Sequence, residues 1–152
     1  MPDATPHYGV PPFILGMTRQ EVVSAAGQPD RIEQQVGVCS RTSEVWFYPS
    51  LQTEVTFEEE FGWFVSAITV ESPSATVNGA SLVGCRAEAL AILAAAAGIP
   101  DVRQTDDFEE FGLCYASQSF GLQFWALRGI IIRFTLFPQF DASRNVPHWP
   151  AA

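Results

Sequence analysis

The chain contains no lysine; all eight of its basic residues are arginine. A Schiff-base lysine and a P-loop lysine are therefore excluded. Histidine occurs only at 7 and 148, both in proline-rich stretches, and neither has a Cys, Ser or carboxylate close by at triad or metal-ligand spacing. No G-x-G-x-x-G, G-x-S-x-G, H-E-x-x-H, C-x-x-C or D-x-D-x-D-G pattern is present, so the sequence predicts no enzyme, no cofactor and no metal. Cysteine is scarce, with Cys39, Cys85 and Cys114 an odd set that cannot all pair internally. Reduced thiols in a reducing compartment are the expectation. The first residues carry no basic-then-apolar leader, and no apolar run reaches the length of a membrane span. A cytoplasmic protein without membrane association is expected. Positive charge is also short, leaving a net charge of −9. Nucleic acid and anionic membranes both need a basic footprint, so neither is an expected partner. Such a chain suits a basic protein partner, or simple solubility.

Against these absences stands one phrase that occurs twice. The first copy runs from Leu15-Gly16-Met17-Thr18-Arg19-Gln20-Glu21 to Gly27-Gln28-Pro29-Asp30, and the second from Leu82-Val83-Gly84-Cys85-Arg86-Ala87-Glu88 to Gly98-Ile99-Pro100-Asp101. Thr18 and Glu21 have the spacing of a capping box, which predicts a helix over about 18–26. Gly27 supplies a left-handed stop and Pro29 forbids continuation. In the second copy Cys85 takes the place of the cap Thr, and an alanine-rich interior supplies strong helix propensity. Leu90, Leu93, Ala94 and Ala97 have the spacing of one buried stripe. Asp30 and Asp101 read as turn residues after proline. Cys85, beside Arg86 at a helix start, is the least improbable nucleophile; free cysteine is more often buried packing.

Each phrase is followed by strand-like runs with period-two alternation. In Glu44–Tyr48 the alternation reads Val45 and Phe47 inward and Glu44, Trp46 and Tyr48 outward. In Thr53–Glu58 it reads Val55 and Phe57 inward. Trp63–Glu71 reads Phe64, Ser66, Ile68 and Val70 on one face and Trp63 on the other. Glu59–Gly62 is a hairpin-turn candidate. Leu122 and Phe124 fall 67 residues after Val55 and Phe57, and Phe134 and Leu136 fall 66 after Ile68 and Val70. Gly121, Gln123, Trp125, Ile131, Arg133, Thr135 and Phe137 then read outward. The expected fold class is α+β: a tandem repeat of two helix-plus-meander units, each with three or four antiparallel strands. The expected boundaries are an irregular segment at 1–12, a first unit at 13–72, a second at 73–137 and an irregular tail at 138–152.

A helix closed by Gly-x-Pro-Asp, then an aromatic strand, a meander and a second copy resembles the tandem architecture of β-lactamase inhibitory protein. A single unit is similar to the small lipoprotein of the outer-membrane barrel-assembly machinery. The resemblance spans roughly residues 13–137 and rests chiefly on Leu-Gly-Met-Thr and Gly-Gln-Pro-Asp. The start of the chain reads as departing from both families in showing no signal peptide, and from the lipoprotein in showing no cysteine to acylate. Among cytoplasmic proteins, small acidic chains of this kind resemble the immunity proteins of bacterial toxin systems. The resemblance implies a binding protein.

The residues that would bind follow from the strand faces. Trp46, Tyr48, Trp63, Trp125 and Arg133 read outward where a solvated sheet would carry Thr, Lys and Glu, and Trp, Tyr and Arg are the residues enriched at binding hot spots. Two acidic clusters, Glu58-Glu59-Glu60 and Asp106-Asp107 with Glu109-Glu110, read as anionic steering patches or as a solvated hairpin tip and loop. The aromatic face is either an interface or the buried side of a second layer. The leading expectation is a non-catalytic immunity or inhibitor protein that neutralises a bacterial toxin, with a basic toxin domain as partner. The alternatives are an assembly factor of the barrel-assembly type and, last, an enzyme.

Overall fold

Thr53–Glu58 alternates buried and half-buried residues along its whole length, as a strand with one face on the core must. This strand sits inside an eight-stranded sheet. The computed structural model describes residues 2–37, 41–105, 112–141 and 146–150. In chain order its elements are β1 (Asp3–Ala4), β2 (Gly9–Val10), β3 (Phe13–Ile14), α1 (Arg19–Ala26), β4 (Arg31–Val36), β5 (Thr42–Tyr48), β6 (Thr53–Glu58), β7 (Phe64–Val70) and β8 (Thr76–Val77). Then follow α2 (Ala87–Ala96), β9 (Arg103–Gln104), β10 (Leu113–Ser117), β11 (Leu122–Leu127), β12 (Ile130–Leu136), β13 (Gln139–Asp141) and β14 (Val146–His148).

Eight of the strands form one sheet in the order β4-β5-β6-β7-β12-β11-β10-β9, antiparallel throughout. This corrects the expected fold class. Among the described residues the fold is mostly β, with two short α-helices of 8 and 10 residues, and is not an α+β tandem of two helix-plus-meander units. The physical reason is direct pairing between β7 and β12, where Val70 faces Phe134 and Ile68 faces Leu136. That pairing joins the strands of both meanders into one eight-stranded sheet. Both helices are stopped early by the glycines that the sequence places after them. Segments read as irregular also pair: β1 lies parallel to β8, and β13 pairs with β14 in the tail.

The core face of the sheet carries Trp46, Tyr48, Val55, Phe57, Ile68, Val70, Phe124, Phe134 and Leu136, packed with Val22 of α1 and Leu90 and Ala94 of α2. In α1 the capping box is complete. Thr18 Oγ1 accepts the Glu21 N–H at 3.1 Å, and Glu21 Oε1 accepts the Thr18 N–H at 3.1 Å. In α2 the N-cap is Arg86, without a side-chain cap bond, so Cys85 does not take the role of Thr18. The stop at Gly98 holds: with φ at +85° it lets the Gly98 N–H reach the Ala95 carbonyl and the Ile99 N–H reach that of Ala94. This is a Schellman closure with the apolar Ile99 buried behind it. The stripe on α2 is narrower than its spacing suggests: Leu90 and Ala94 are buried, while Leu93 is exposed.

Two β-bulges decide which side chains reach the core. Opposite β6, the register steps from Thr56↔Ala67 to Phe57↔Val65, leaving Ser66 as the extra residue. Opposite β11, it steps from Trp125↔Arg133 to Ala126↔Ile131, leaving Ile132 extra. A bulge resets alternation, so Val65 and Ile131 turn into the core and both are 0% exposed. Ile131, read as outward, is therefore a core residue. The bulged positions also anchor the helices. Val65 exchanges backbone hydrogen bonds with Gly16 and Met17, and Ile131 does so with Gly84 and Cys85.

Candidate protein-binding face

Cross-strand partners share a face of a sheet. The registers therefore define a row on the side away from the core, running across all eight strands: Arg31, Phe47, Glu54, Thr69, Thr135, Gln123, Ala116 and Arg103. All but Thr135 keep part of their surface in solvent. Thr69 and Thr135, at the junction of β7 and β12, share a hydroxyl–hydroxyl bond of 2.9 Å. Beside this row, on the same face, lie Arg133 and Trp125. The Arg133 guanidinium is 5.2 Å from the Trp125 ring centre and its Nη1 is 3.7 Å from Glu71 Oε1. At the other end of the row the Arg31 guanidinium lies 4.1 Å from the Phe47 ring centre, and its Nη2 is 3.4 Å from Glu33.

Glu54 stands near the middle of this face. Its carboxyl is held above the ordinary value of 4.5, chiefly because burial penalises the anion and secondarily because Glu71 is near; Arg133 and Arg31 pull the other way. Glu54 and Glu71 line a cleft of about 220 Å³ with Phe47, Pro49 and Gln52. A larger cleft, about 540 Å³, opens where the chain beyond β12 meets the β10–β11 turn, lined by His7, Gln118, Gln123, Phe137 and Phe140. His7 is held there by its Nε2–H, which donates to the Ser119 carbonyl at 2.7 Å.

The predicted binding residues divide. Trp125 and Arg133 are on the open face. Trp46 and Tyr48 are not: they are 5% and 3% exposed and belong to the core. Trp46 faces Val55 across the ladder and so shares the inner face, which puts Phe47 outside in its place. The run Val45-Trp46-Phe47-Tyr48 is apolar at both parities, so alternation alone could not choose. Trp46 Nε1–H donates to Glu44 at 3.1 Å, and the Tyr48 hydroxyl donates to the Gly27 carbonyl at 2.9 Å, where it closes the end of α1. Trp63 is a turn residue, with φ at +63°, and its half-buried ring packs against the core. Arg19 stacks over that ring at 4.1 Å and pairs with Glu44 at 3.1 Å. Glu44, Trp46, Arg19 and Trp63 thus form one structural chain that fixes the start of α1.

Of the acidic clusters, Glu58 is half-buried at the end of β6. Glu59 and Glu60 lie in the 3₁₀ turn that the hairpin reading places there, closed by Gly62 at φ +79°, and Glu60 pairs with Arg41 at 3.1 Å. Asp106, Asp107, Glu109 and Glu110 lie outside the described residues, as does Cys39. Cys114 is fully buried, Cys85 is half-buried, and burial pushes the Cys85 thiol up from its ordinary value, which opposes a nucleophilic role. Asp101 is a turn acceptor: its carboxylate takes the Ser117 and Ser119 hydroxyls, both at 2.5 Å, and these bonds hold it below the usual range. Among the described residues no three His, Cys, Asp or Glu converge as metal ligands, and no helix is long and apolar enough to cross a membrane.

Sequence alternation places Gln123, Thr69 and Glu71 on the outward parity without marking them as binding residues, and it reads Phe47 inward. Phe47 joins the face because its partner Glu54 lies there, a signal that becomes legible only once the partner strands are known.

No family profile matches the chain, and no curated protein matches it. Among solved structures it is similar to an extracellular protein containing a SCP domain from Bacillus anthracis str. Ames, with 12% identity and a TM-score of 0.46. That match covers 81% of this chain and 43% of the other. A likeness at this level assigns neither family nor activity.

Proposed function

We propose that the chain is a non-catalytic protein-binding module whose open sheet face seats a basic protein partner, and that it acts as an immunity or inhibitor protein against a bacterial toxin. The observation that carries the binding reading is the cluster of Trp125, Arg133 and Glu71 beside Glu54 on the face opposite the main core cluster. Aromatic and arginine side chains give much contact area for little ordering, and carboxylates next to them select a cationic partner. The net charge of −9 adds long-range attraction for a basic domain. The inhibitor reading rests on this together with the resemblance to small acidic immunity proteins.

The test uses the product of an adjacent gene as the candidate partner. Expression of that product alone should arrest growth, and co-expression with this chain should restore it. Trp125→Ala with Arg133→Ala should abolish both rescue and complex formation while the protein stays folded by circular dichroism. A partner that binds but is harmless would overturn the inhibitor reading. A complex indifferent to the double substitution would overturn the assignment of the face.

A further inference from the structure

A sheet of eight strands has two edges, and one of them is long and unguarded. β4 stands at the end of the strand order and all six of its residues, Arg31–Val36, are exposed. It pairs with β5 in an unbroken register from Arg31↔Phe47 to Val36↔Thr42, without a bulge. The Gly37 N–H bonds to the Arg41 carbonyl, one step beyond Val36↔Thr42. Antiparallel ladders alternate bonded and non-bonded pairs, so the odd-numbered residues turn their N–H and C=O toward β5. The backbone groups of Ile32, Gln34 and Val36 therefore point away from the sheet. The usual protections of an edge are charged side chains, above all lysine, proline, a bulge or an overlying element; the two charges of β4, Arg31 and Glu33, pair with one another on the face away from the core. Within Arg31–Val36 there is no lysine and no proline, and among the described residues no strand pairs with the outer side of β4. Ile32 and Val36, moreover, are 48% and 73% exposed.

We infer that the β4 edge pairs antiparallel with the β4 edge of a second copy of this chain, about a two-fold axis at Gln34, to continue the sheet across two molecules. This goes beyond the reading of the open face and does not depend on it. The free groups on both copies are at even-numbered positions, so only registers that bring even opposite even can bond. The register centred on Gln34 puts Ile32 opposite Val36 of the second copy, and Val36 opposite Ile32. Ile32 faces Trp46 across the ladder and so lies on the core side. The two apolar pairs would thus extend the core face over the seam, covering the side chains the monomer leaves in water. Glu33 then faces Gln35, and Arg31 faces Gly37.

Neighbouring registers are worse. Centring on Glu33 sets two carboxylates opposite one another, a destabilising cross-strand pair. Centring on Ile32 brings Arg31 opposite Glu33 but carries Val36 past the end of the facing strand, opposite Gln28. Centring on Gln35 carries Ile32 past the end of the facing strand, so charge and apolar pattern favour the register centred on Gln34. Both copies carry a net charge of −9, so their general repulsion opposes association and salt should relieve it.

Sedimentation velocity over a concentration series, at low and moderate salt, reads this directly. The mass should pass from monomer to dimer as concentration rises, at lower concentration in moderate salt. Amide exchange at Ile32, Gln34 and Val36 should slow over the same range while that of exposed turn residues does not change. Val36→Lys, at a position already mostly in solvent, should abolish the dimer without altering the circular dichroism spectrum. Gln34→Pro removes a donor that β5 does not use and should do the same. A chain that stays monomeric throughout overturns the inference. So does a dimer that survives Val36→Lys, or one whose edge amides exchange as fast as those of the monomer. Protection of these amides only by a different protein would assign the edge to a foreign strand and equally overturn the second-copy assignment.

Discussion

Arg133 lies over the ring of Trp125 while its Nη1 stands 3.7 Å from Glu71. The three side chains come from β11, β12 and the residue just past β7, so the arrangement exists only because β7 and β12 pair. It is an assembled feature of the sheet, held on the side opposite the main core cluster, beside the buried Cys114.

Trp125 and Arg133 should therefore be separable from stability. Trp125→Ala is expected to lower the denaturation midpoint far less than Trp46→Ala does, since the ring is only half-buried under Arg133, and to cost upward of about 2 kcal/mol in partner binding, chiefly as faster dissociation. Surface plasmon resonance with the identified partner, with circular dichroism as control, reads both quantities. A large fall in midpoint with an unchanged dissociation rate would return Trp125 to the core.

Trp46 and Trp63 should behave oppositely. Trp46→Ala empties a buried site against Phe57, whose ring centre is 4.7 Å away, and should cost about 3–5 kcal/mol of folding stability. Trp63→Ala removes the ring under Arg19 and loosens the start of α1, so it should also lower the urea midpoint, though less, since Trp63 is only half-buried. If either variant kept the wild-type midpoint, the network from Glu44 to Trp63 would not be structural.

These contrasts show what was legible in the sequence. Local chemistry was: the Thr18–Glu21 box, the Gly98 stop and the Glu59–Gly62 turn are all set by residues within one turn of each other. Alternation succeeded in Thr53–Glu58, where one parity is polar. It failed in Glu44–Tyr48, where both parities are apolar, and at Ile131, where a bulge resets the count. The sheet itself depends on pairing between residues 66 apart, such as Val70 and Phe134, and no local pattern states which edge of one meander meets which edge of another. The two-unit expectation fails for that reason, whereas Trp46 and Tyr48 leave the expected face through local parity and Trp63 through its turn.

The helix cap gives a cleaner local test. Thr18→Ala deletes the hydroxyl that takes the Glu21 N–H and should cost about 0.5–2 kcal/mol. Cys85→Ser should bring no matching gain, because Arg86 and not residue 85 is the N-cap of α2 and the Cys85 side chain packs against the core. Guanidinium midpoints for the two variants decide this. A stabilised Cys85→Ser protein would mean that residue 85 caps α2 after all.

Glu54 offers a prediction whose sign depends on pH. Its carboxyl is raised in the folded protein, mainly by burial and then by Glu71. Well below the ordinary value of 4.5 the group is protonated in both folded and unfolded chains, and it contributes nothing to the difference. As pH rises through 4.5 the unfolded chain ionises first, the folded chain retains its proton longer, and stability falls until the folded group has ionised too. At neutral pH the anion is therefore a standing cost to the fold. Glu54→Gln keeps the shape and removes the charge. It should raise the urea midpoint at neutral pH, and the gap between variant and wild type should close as pH drops past 4.5. The same substitution should weaken a basic partner, because it deletes one of the two carboxylates lining the Phe47 cleft. Gained stability with lost affinity is the signature of a group kept for binding, at a cost to folding. Urea titrations across pH, paired with binding measurements on both proteins, supply the two readings. A Gln variant less stable than wild type at neutral pH would show that Arg31 and Arg133 outweigh burial, and that the charge helps hold the sheet.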